Sequence, residues 1–138
     1  MIRSFAMATS TEDLGAFLTR LDRRFDKVDE HTFLVSLGAG RPPAALRVEK
    51  PVVLVQVDVG AAPAGASALE AGLFRRLLEL NATDLLHASY GIENGQIVLG
   101  AALELDTMDI GELEAVLANI DMALAEHVPG LLEMTRKG

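Results

Sequence analysis

The sequence predicts an α+β fold in which a largely antiparallel sheet packs against helices. Short segments of alternating apolar residues, typical of strands, are grouped between stretches whose apolar residues recur every three or four positions, as in amphipathic helices. Asn94-Gly95 lies between two such segments, and this pair best tolerates the positive φ angles of a type I′ hairpin turn. The predicted order is helix, three strands, helix, two strands, helix, within one domain of residues 1–138.

The first helix is predicted to begin at Ser10, after a loose leader of residues 1–9. Ser10 at the N-cap position and Asp13 three residues later form a variant of the capping box. Apolar residues recur at helical spacing along one stripe, which consists of Leu14, Phe17, Leu18, Leu21 and Phe25. The opposite face mixes charges of both signs, and we expect it to face solvent.

Three strands are predicted next, at residues 31–37, 44–49 and 52–59. Glycines and prolines between the first two predict a turn, and Lys50-Pro51 predicts a kink or bulge, because proline cannot donate to a central ladder. The third strand is rich in β-branched residues. Alternation places Val53, Val55, Val57 and Val59 on its core face, and Gln56 and Asp58 on the other face.

A second helix is predicted to begin with a capping box at Ser67 and Glu70, and to end at Leu80 with Asn81 as a left-handed C′ residue. Its apolar face is broad and consists of Leu69, Leu73, Phe74, Leu77, Leu78 and Leu80. A face this broad is either buried on two sides within one protomer or packed against a second subunit. Both alternatives are open at this point.

The Asn94-Gly95 turn is predicted to join strands at residues 85–93 and 96–105. The last helix is expected to be capped by Asp106 or Asp109, and to end or kink at Pro129-Gly130. Its apolar stripe consists of Ile110, Leu113, Val116, Leu117, Ile120 and Leu124. The segment 131–134 is compatible with a further helical turn.

Charge is distributed unevenly along the chain. Residues 1–50 have a net charge of +1 and residues 51–138 of −9, and no Lys or Arg lies between Arg76 and Arg136. This half therefore lacks the basic side chains that hold phosphates, and aromatic residues are only 4% of the chain, so we expect no nucleic-acid partner. An acidic surface maintains solubility, or attracts a basic segment of a partner.

No catalytic, cofactor or metal site is predicted. The chain has no cysteine, which excludes disulfides and zinc-thiolate sites. His31, His87 and His127 lie in different elements without metal-type spacing, and we expect them to be isolated surface or strand-end residues. No apolar run approaches the roughly 18 residues of a membrane span, and no secretory signal is evident, so the cytoplasm is the expected location.

Three stretches resemble a known superfamily. Residues 77–81 (LLELN), residues 90–99 (YGIENGQIVL) and the spaced leucines from Leu113 to Leu124 are similar to the helix end, the hairpin and the last helix of the type III secretion chaperone-like proteins. This superfamily contains the class I (Tir-chaperone type) secretion chaperones and the YbjN-like proteins. The order of elements resembles it over nearly the whole chain, and the sequence signature over residues 77–124.

The resemblance implies a non-enzymatic homodimer that binds an extended, unfolded segment of a client protein around its sheet and first helix. Such a segment binds through burial of side chains and through strand addition. The candidate groove residues are Leu14, Leu18, Phe33, Val35, Leu37, Leu46 and Val48. The candidate dimer residues are Leu73, Phe74 and Leu77.

Two alternatives to the chaperone hypothesis are also compatible with the sequence. One is a YbjN-like regulatory or stress-related protein, which has the same fold but binds a folded partner. The other is a small enzyme or ligand-binding protein whose site assembles only in the tertiary structure. It would require a concave pocket with convergent polar groups.

Overall fold

The computed structural model describes residues 10–63 and 68–136, and within them six strands form one antiparallel sheet. Four strands precede the second helix: β1 (Phe25–Asp29), β2 (Thr32–Val35), β3 (Ala44–Glu49) and β4 (Val52–Ala61). Two follow it: β5 (Ser89–Glu93) and β6 (Gln96–Glu104). Their order across the sheet is β1-β2-β3-β4-β6-β5, so β1 and β5 are the outer strands. The predicted α+β class is confirmed.

The helices are α1 (Thr11–Arg20), α2 (Ala68–Thr83), α3 (Ile110–Glu126) and α4 (Val128–Arg136). The predicted first cap is confirmed, because the Ser10 hydroxyl accepts the Asp13 N–H at 3.2 Å. Asp109, rather than Asp106, caps α3 in a reciprocal box with Glu112. The Glu112 N–H donates to Asp109 at 2.8 Å, and the Asp109 N–H donates to the Glu112 carboxylate at 3.0 Å. The predicted cap at Ser67 lies outside the described residues.

The chain contains one more strand before α2 than the sequence predicted. Phe25 was expected to continue the stripe of the first helix, but α1 ends at Arg20 and Asp22 takes a left-handed conformation with φ 59°. The chain then reverses, and Phe25 begins β1 opposite Val35 of β2. Its ring contacts the Phe33 ring edge-on, with centroids 5.5 Å apart.

The sequence predicted a hairpin turn at Asn94-Gly95 and a kink or bulge at Lys50-Pro51, and the structure confirms only the first. Asn94 and Gly95 have φ of 52° and 76° and join β5 to β6, which confirms the predicted hairpin. Lys50-Pro51, expected to be a kink or bulge, instead forms the whole turn between β3 and β4, with Glu49 paired to Val52. Strand β5 begins at Ser89, later than expected, and residues 85–88 precede it as a loop.

The ends of α2 and α3 also differ from the expectation. Helix α2 continues through Asn81 to Thr83, because Asn81 is held in place by side-chain hydrogen bonds to β5. Helix α3 ends at Glu126, and after the single residue His127 a separate helix α4 begins. Pro129 is accommodated in the first turn of α4, where its missing N–H costs no intrahelical bond.

The core lies on one face of the sheet. Val53, Val55, Val57 and Val59 of β4 are buried there as predicted. The stripes of α1, α2 and α3 contribute the other large buried side chains, which include Leu14, Leu18, Leu73, Leu80, Leu113, Leu117 and Ile120. The other face of the sheet has no helix against it in the described residues, and it carries Leu34, Leu54, Arg47 and Asp58 as exposed residues. We call it the open sheet face.

Candidate protein-binding surfaces

The seven predicted groove residues all lie in the core of the protomer. Each is at most 6% exposed, and the set consists of Leu14, Leu18, Phe33, Val35, Leu37, Leu46 and Val48. The structure thus brings them together, but on the face of the sheet that the helices cover. Their contact with a partner stays a prediction, and the exposed apolar residues of these strands lie on the opposite face.

The three predicted dimer residues are divided between core and surface. Leu73 and Leu77 are buried in the core, whereas Phe74 is only partly buried. The next residue on the exposed side is Leu78, whose side chain is 68% exposed. The broad apolar face of α2 therefore has a core side, with Leu73 and Leu77, and an outer side, with Phe74 and Leu78.

The outer side of α2 forms a shallow depression of about 600 Å³. It is lined by Ala71, Phe74, Arg75, Leu78, Glu79 and Ala82. The Arg75 Nε lies 3.2 Å from the Glu79 carboxylate, one helical turn away, so the charged rim of the depression pairs with itself. An apolar centre with a charged rim is typical of a surface that packs against another protein.

The open sheet face holds a second concave surface. Its volume is about 540 Å³, and Ala45 and Leu54 form its apolar floor beside Pro42 and Pro43. Leu54 is 36% exposed, and Leu34, 37% exposed, lies on the same face next to Ala45. Leu34 and Ala45 are paired with each other, Leu54 is paired with Arg47, and polar residues of the same face lie beside them. Leu34 and Leu54 are the exposed apolar feature that alternation along the strands did not single out.

Charged and polar groups surround this floor. They are Asp29, Thr32, Arg47, Gln56, Asp58 and Glu93. The Arg47 guanidinium pairs with the Glu49 carboxylate at 2.9 Å, and the Gln56 amide donates to Glu93 at 3.0 Å. Hydrogen bonds from the His31 N–H and then from the Thr32 side chain hold the pKa of Asp29 below its ordinary value. Asp29 is therefore ionised at neutral pH.

A further polar cluster lies on the helix side. His127, expected to be an isolated surface or strand-end residue, is only 7% exposed, whereas His31 and His87 are exposed. One ring nitrogen, Nδ1, lies 3.3 Å from the Tyr90 hydroxyl, and the other, Nε2, lies 3.1 Å from the Asp84 carboxylate. The expectation was wrong because the partners come from β5 and from the residue after α2, which no local spacing reveals.

This cluster has a structural function in the geometry observed. Burial raises the pKa of the Tyr90 hydroxyl well above its ordinary value, so that the hydroxyl stays protonated and can donate to the ring. The His127 ring joins the end of α2, strand β5 and the α3–α4 junction. Hydrogen bonds from the Thr83 hydroxyl, and then from His127, lower the pKa of Asp84, which keeps this partner charged.

Within residues 10–63 and 68–136, no group of three or more His, Cys, Asp or Glu side chains is placed to hold a metal ion. In the same residues, no helix is long and apolar enough to cross a membrane. Among the described residues, the open sheet face and the outer side of α2 each combine a concave surface with exposed apolar side chains, and we take them as the candidate protein-binding surfaces.

Comparison with known proteins defines the class to which this fold belongs. The model of the CesT_Tir_1 family matches residues 7–137, which is nearly the whole chain. The chain belongs to this family, a type III chaperone family. No curated protein matches the sequence.

Solved structures show the same fold. A chain of the heterodimeric ExoU–SpcU complex from the type III secretion system of Pseudomonas aeruginosa is similar, with a TM-score of 0.65 and 20% identity over 83% of this chain and 93% of that chain. YbjN, a putative transcription regulator from E. coli, is similar with a TM-score of 0.54 and 14% identity over 83% of this chain and 90% of that chain. The predicted resemblance is confirmed.

Proposed function

We propose that this protein is a non-enzymatic, secretion-chaperone-like binding protein, which holds an extended segment of a client protein on its open sheet face. The observation that carries the proposal is the concave apolar floor at Ala45 and Leu54, on a face without a covering helix in the described residues. Membership of a type III chaperone family supports it, and so does the similarity to a chain of the heterodimeric ExoU–SpcU complex from a type III secretion system. We expect the protein to act in the cytoplasm.

The physical reason concerns the kind of partner that such a surface suits. The concave surface is partly open to solvent along the sheet, which leaves room for a chain to lie across it. An extended segment can place alternate side chains against it and exclude water from Leu34 and Leu54. Each apolar side chain that becomes fully buried contributes about 1.5–3 kcal/mol before the cost of ordering the segment.

We also propose that the protein is a homodimer that pairs through the outer side of α2. Phe74 and Leu78 are its central contacts, because they are the large apolar residues around the depression on this helix. In a symmetric dimer the same patch of each protomer meets its copy, which an apolar centre with a self-paired charged rim allows. Leu73 and Leu77 then support the interface from the core side.

The client proposal is tested with a generic unfolded chain. Reduced and carbamidomethylated lysozyme has nearly the same side chains and charge as native lysozyme, but it cannot refold. We expect the unfolded form to shift the backbone amide NMR signals of Leu34, Ala45 and Leu54, and the native form to leave them unchanged. Leu54→Glu should abolish the shifts, whereas Leu86→Glu, at a side chain 85% exposed elsewhere, should retain them.

Two results would count against the client proposal. If native and unfolded lysozyme shift the same signals equally, the surface does not select extended chains. If the unfolded form binds but shifts only residues remote from β3 and β4, the open sheet face is not its site.

The similarity to YbjN supports a second candidate function, a regulatory protein with a folded partner. The same fold would then use the open sheet face to contact a preformed surface. Binding of the physiological partner without loss of that partner's amide protection, measured by hydrogen exchange, would favour this candidate over a chaperone.

A further inference from the structure

Carboxylates without a salt-bridge partner lie around the apolar floor of the open sheet face. Asp29, Asp58 and Glu93 line the concave surface, and among the described residues none of them forms a salt bridge. The cation beside them, Arg47, is already paired with Glu49. The concave surface is thus apolar at its floor and negative around it. This negative charge is local, because strands β1 to β3, which form much of the surface, belong to residues 1–50, whose net charge is +1.

Strand pairing fixes how far apart these carboxylates are. Asp29 pairs with Thr32, Thr32 with Arg47, and Arg47 with Leu54, so Asp29 lies three strands from Leu54 along one row. At about 4.8 Å per strand this separation is about 14 Å. Asp58 lies four residues further along β4, which adds about 13 Å at right angles. The diagonal from Asp29 to Asp58 is therefore about 20 Å.

An extended chain covers this diagonal in about six residues, at about 3.3 Å each. Six is an even number, so the residues at its two ends point to the same side of the extended chain. The residues two and four positions along also point to that side, and they lie over the floor around Ala45. A chain that lies along this diagonal therefore contacts the surface with every second side chain: its two end residues reach the carboxylates, and the two residues between them reach the apolar floor.

We propose that the occupant of the open sheet face is an extended segment of another protein that carries two basic residues six positions apart, with apolar residues at the second and fourth positions between them. This inference rests on the proposed function, and it adds the chemistry and spacing that the client segment needs. The basic side chains face Asp29 and Asp58, and the apolar side chains cover Leu34 and Ala45, which pair with each other between these two carboxylates.

Three peptides of matched length test the proposal. The first has the core Lys-Ser-Leu-Ser-Val-Ser-Lys, and the second has Gln in place of both Lys. The third, Lys-Lys-Ser-Leu-Ser-Val-Ser, has the same composition as the first, but its basic residues are adjacent. The Kd of each is measured by NMR titration of the wild-type protein at about 20 mM and about 300 mM salt, from the amide shifts of the open sheet face.

At low salt we expect the first peptide to bind about three- to tenfold more tightly than the other two, as two exposed ion pairs allow. Added salt should remove most of the difference, because it screens exposed charges. Asp29→Asn with Asp58→Asn should also remove the difference. The amide oxygen that this variant has at position 29 can still accept the His31 N–H, which maintains the local turn. Asp106→Asn with Glu114→Gln, which removes two exposed carboxylates elsewhere, should leave the difference intact.

Equal binding of the first two peptides would overturn the proposed charge preference, and equal binding of the first and third would overturn the spacing. Loss of the preference in the variant at Asp106 and Glu114 would also overturn the proposal, since the effect would then depend on net charge. Each of these results leaves the proposed function intact if unfolded lysozyme still shifts the open-face signals. The proposed function fails separately if unfolded lysozyme does not bind.

Discussion

The Asn81 side chain bonds both polar backbone atoms of Tyr90. Its amide oxygen accepts the Tyr90 N–H at 2.7 Å, and its amide nitrogen donates to the Tyr90 carbonyl at 3.1 Å. These are the two bonds that a neighbouring strand would make at this position of an outer strand. A helix side chain thus takes the place of a further strand on β5, and it fixes the end of α2 to the sheet.

We predict that Asn81→Ala lowers the free energy of unfolding by about 1–3 kcal/mol, because it leaves two partly buried backbone groups without their partner. Urea denaturation measures the change. Asn81→Asp keeps the oxygen that accepts the Tyr90 N–H but sets a second acceptor oxygen against the Tyr90 carbonyl, so it should also lower the stability. Wild-type stability in either variant would contradict the two-bond interpretation.

The Asn119 amide oxygen accepts three consecutive backbone N–H groups, those of Leu86, His87 and Ala88, at 3.0–3.3 Å. We predict that Asn119→Ala increases amide hydrogen exchange at residues 86–88 at least about tenfold, since each of these groups then lacks its acceptor. Asn119→Asp retains an acceptor oxygen and should preserve most of the protection. Unchanged exchange in the alanine variant would show that other contacts order the loop.

Asp84 makes the stability of the fold depend on pH, and the shift of its pKa determines the direction of that dependence. The Thr83 hydroxyl and then His127 lower the pKa of Asp84 in the folded protein below the ordinary value of 3.8. The ionised group therefore stabilises the fold fully above that value, and this contribution is lost as the pH falls through the lower folded pKa. We predict that the stability advantage of wild type over Asp84→Asn shrinks as the pH falls below about pH 4.

Thermal unfolding of both proteins across this pH range measures the difference. Thr83→Val removes the first cause of the shift while it retains His127, so it should reduce the pH dependence without abolishing it. A difference that grows as the pH falls below about pH 4 would contradict a lowered pKa of Asp84.

Leu77 and Leu78 are adjacent in α2, but Leu77 is buried in the core and Leu78 is exposed. Substitutions at these two positions therefore separate an effect on the core from an effect on the proposed dimer interface. We predict that Leu78→Glu with Phe74→Glu yields a folded monomer, because the charges lie on the exposed side and oppose their copies across the two-fold axis. Light scattering gives the mass, and circular dichroism shows whether the fold is retained.

Leu77→Ala is the control for this pair. Leu77 is buried, so the change should cost about 2–4 kcal/mol of stability without changing the mass. The dimer proposal is wrong if the wild-type protein is a monomer, or if the double variant keeps the mass of a dimer.

Local signals predicted much of the fold. The Ser10 and Asp109 caps and the Asn94-Gly95 turn depend on residues within three positions of each other, and the sequence displays them directly. Strand β1 could not be predicted in this way, because Phe25 continues the helical spacing of the first stripe. Asn81 was also misassigned, since its hydrogen-bond partner Tyr90 lies in another element.

The candidate surfaces were less predictable than the fold. Apolar periodicity identifies residues that avoid water, but a core residue such as Leu77 and a surface residue such as Leu78 are equally apolar. One signal for the open sheet face was available: Leu54 shares a strand face with Gln56 and Asp58. A large apolar residue that alternates with polar residues along a strand is the pattern that would have found it.

Both outer strands of the described sheet are interrupted along their free sides. Strand β1 has a register irregularity between Lys27 and Asp29 and carries several charges, and the β5 backbone at Tyr90 is occupied by Asn81. A chain that binds along a sheet edge is recognised by its backbone, which every polypeptide shares. With these edges interrupted, an unfolded chain is held through its side chains on the open sheet face, so its amino-acid sequence determines how tightly it binds.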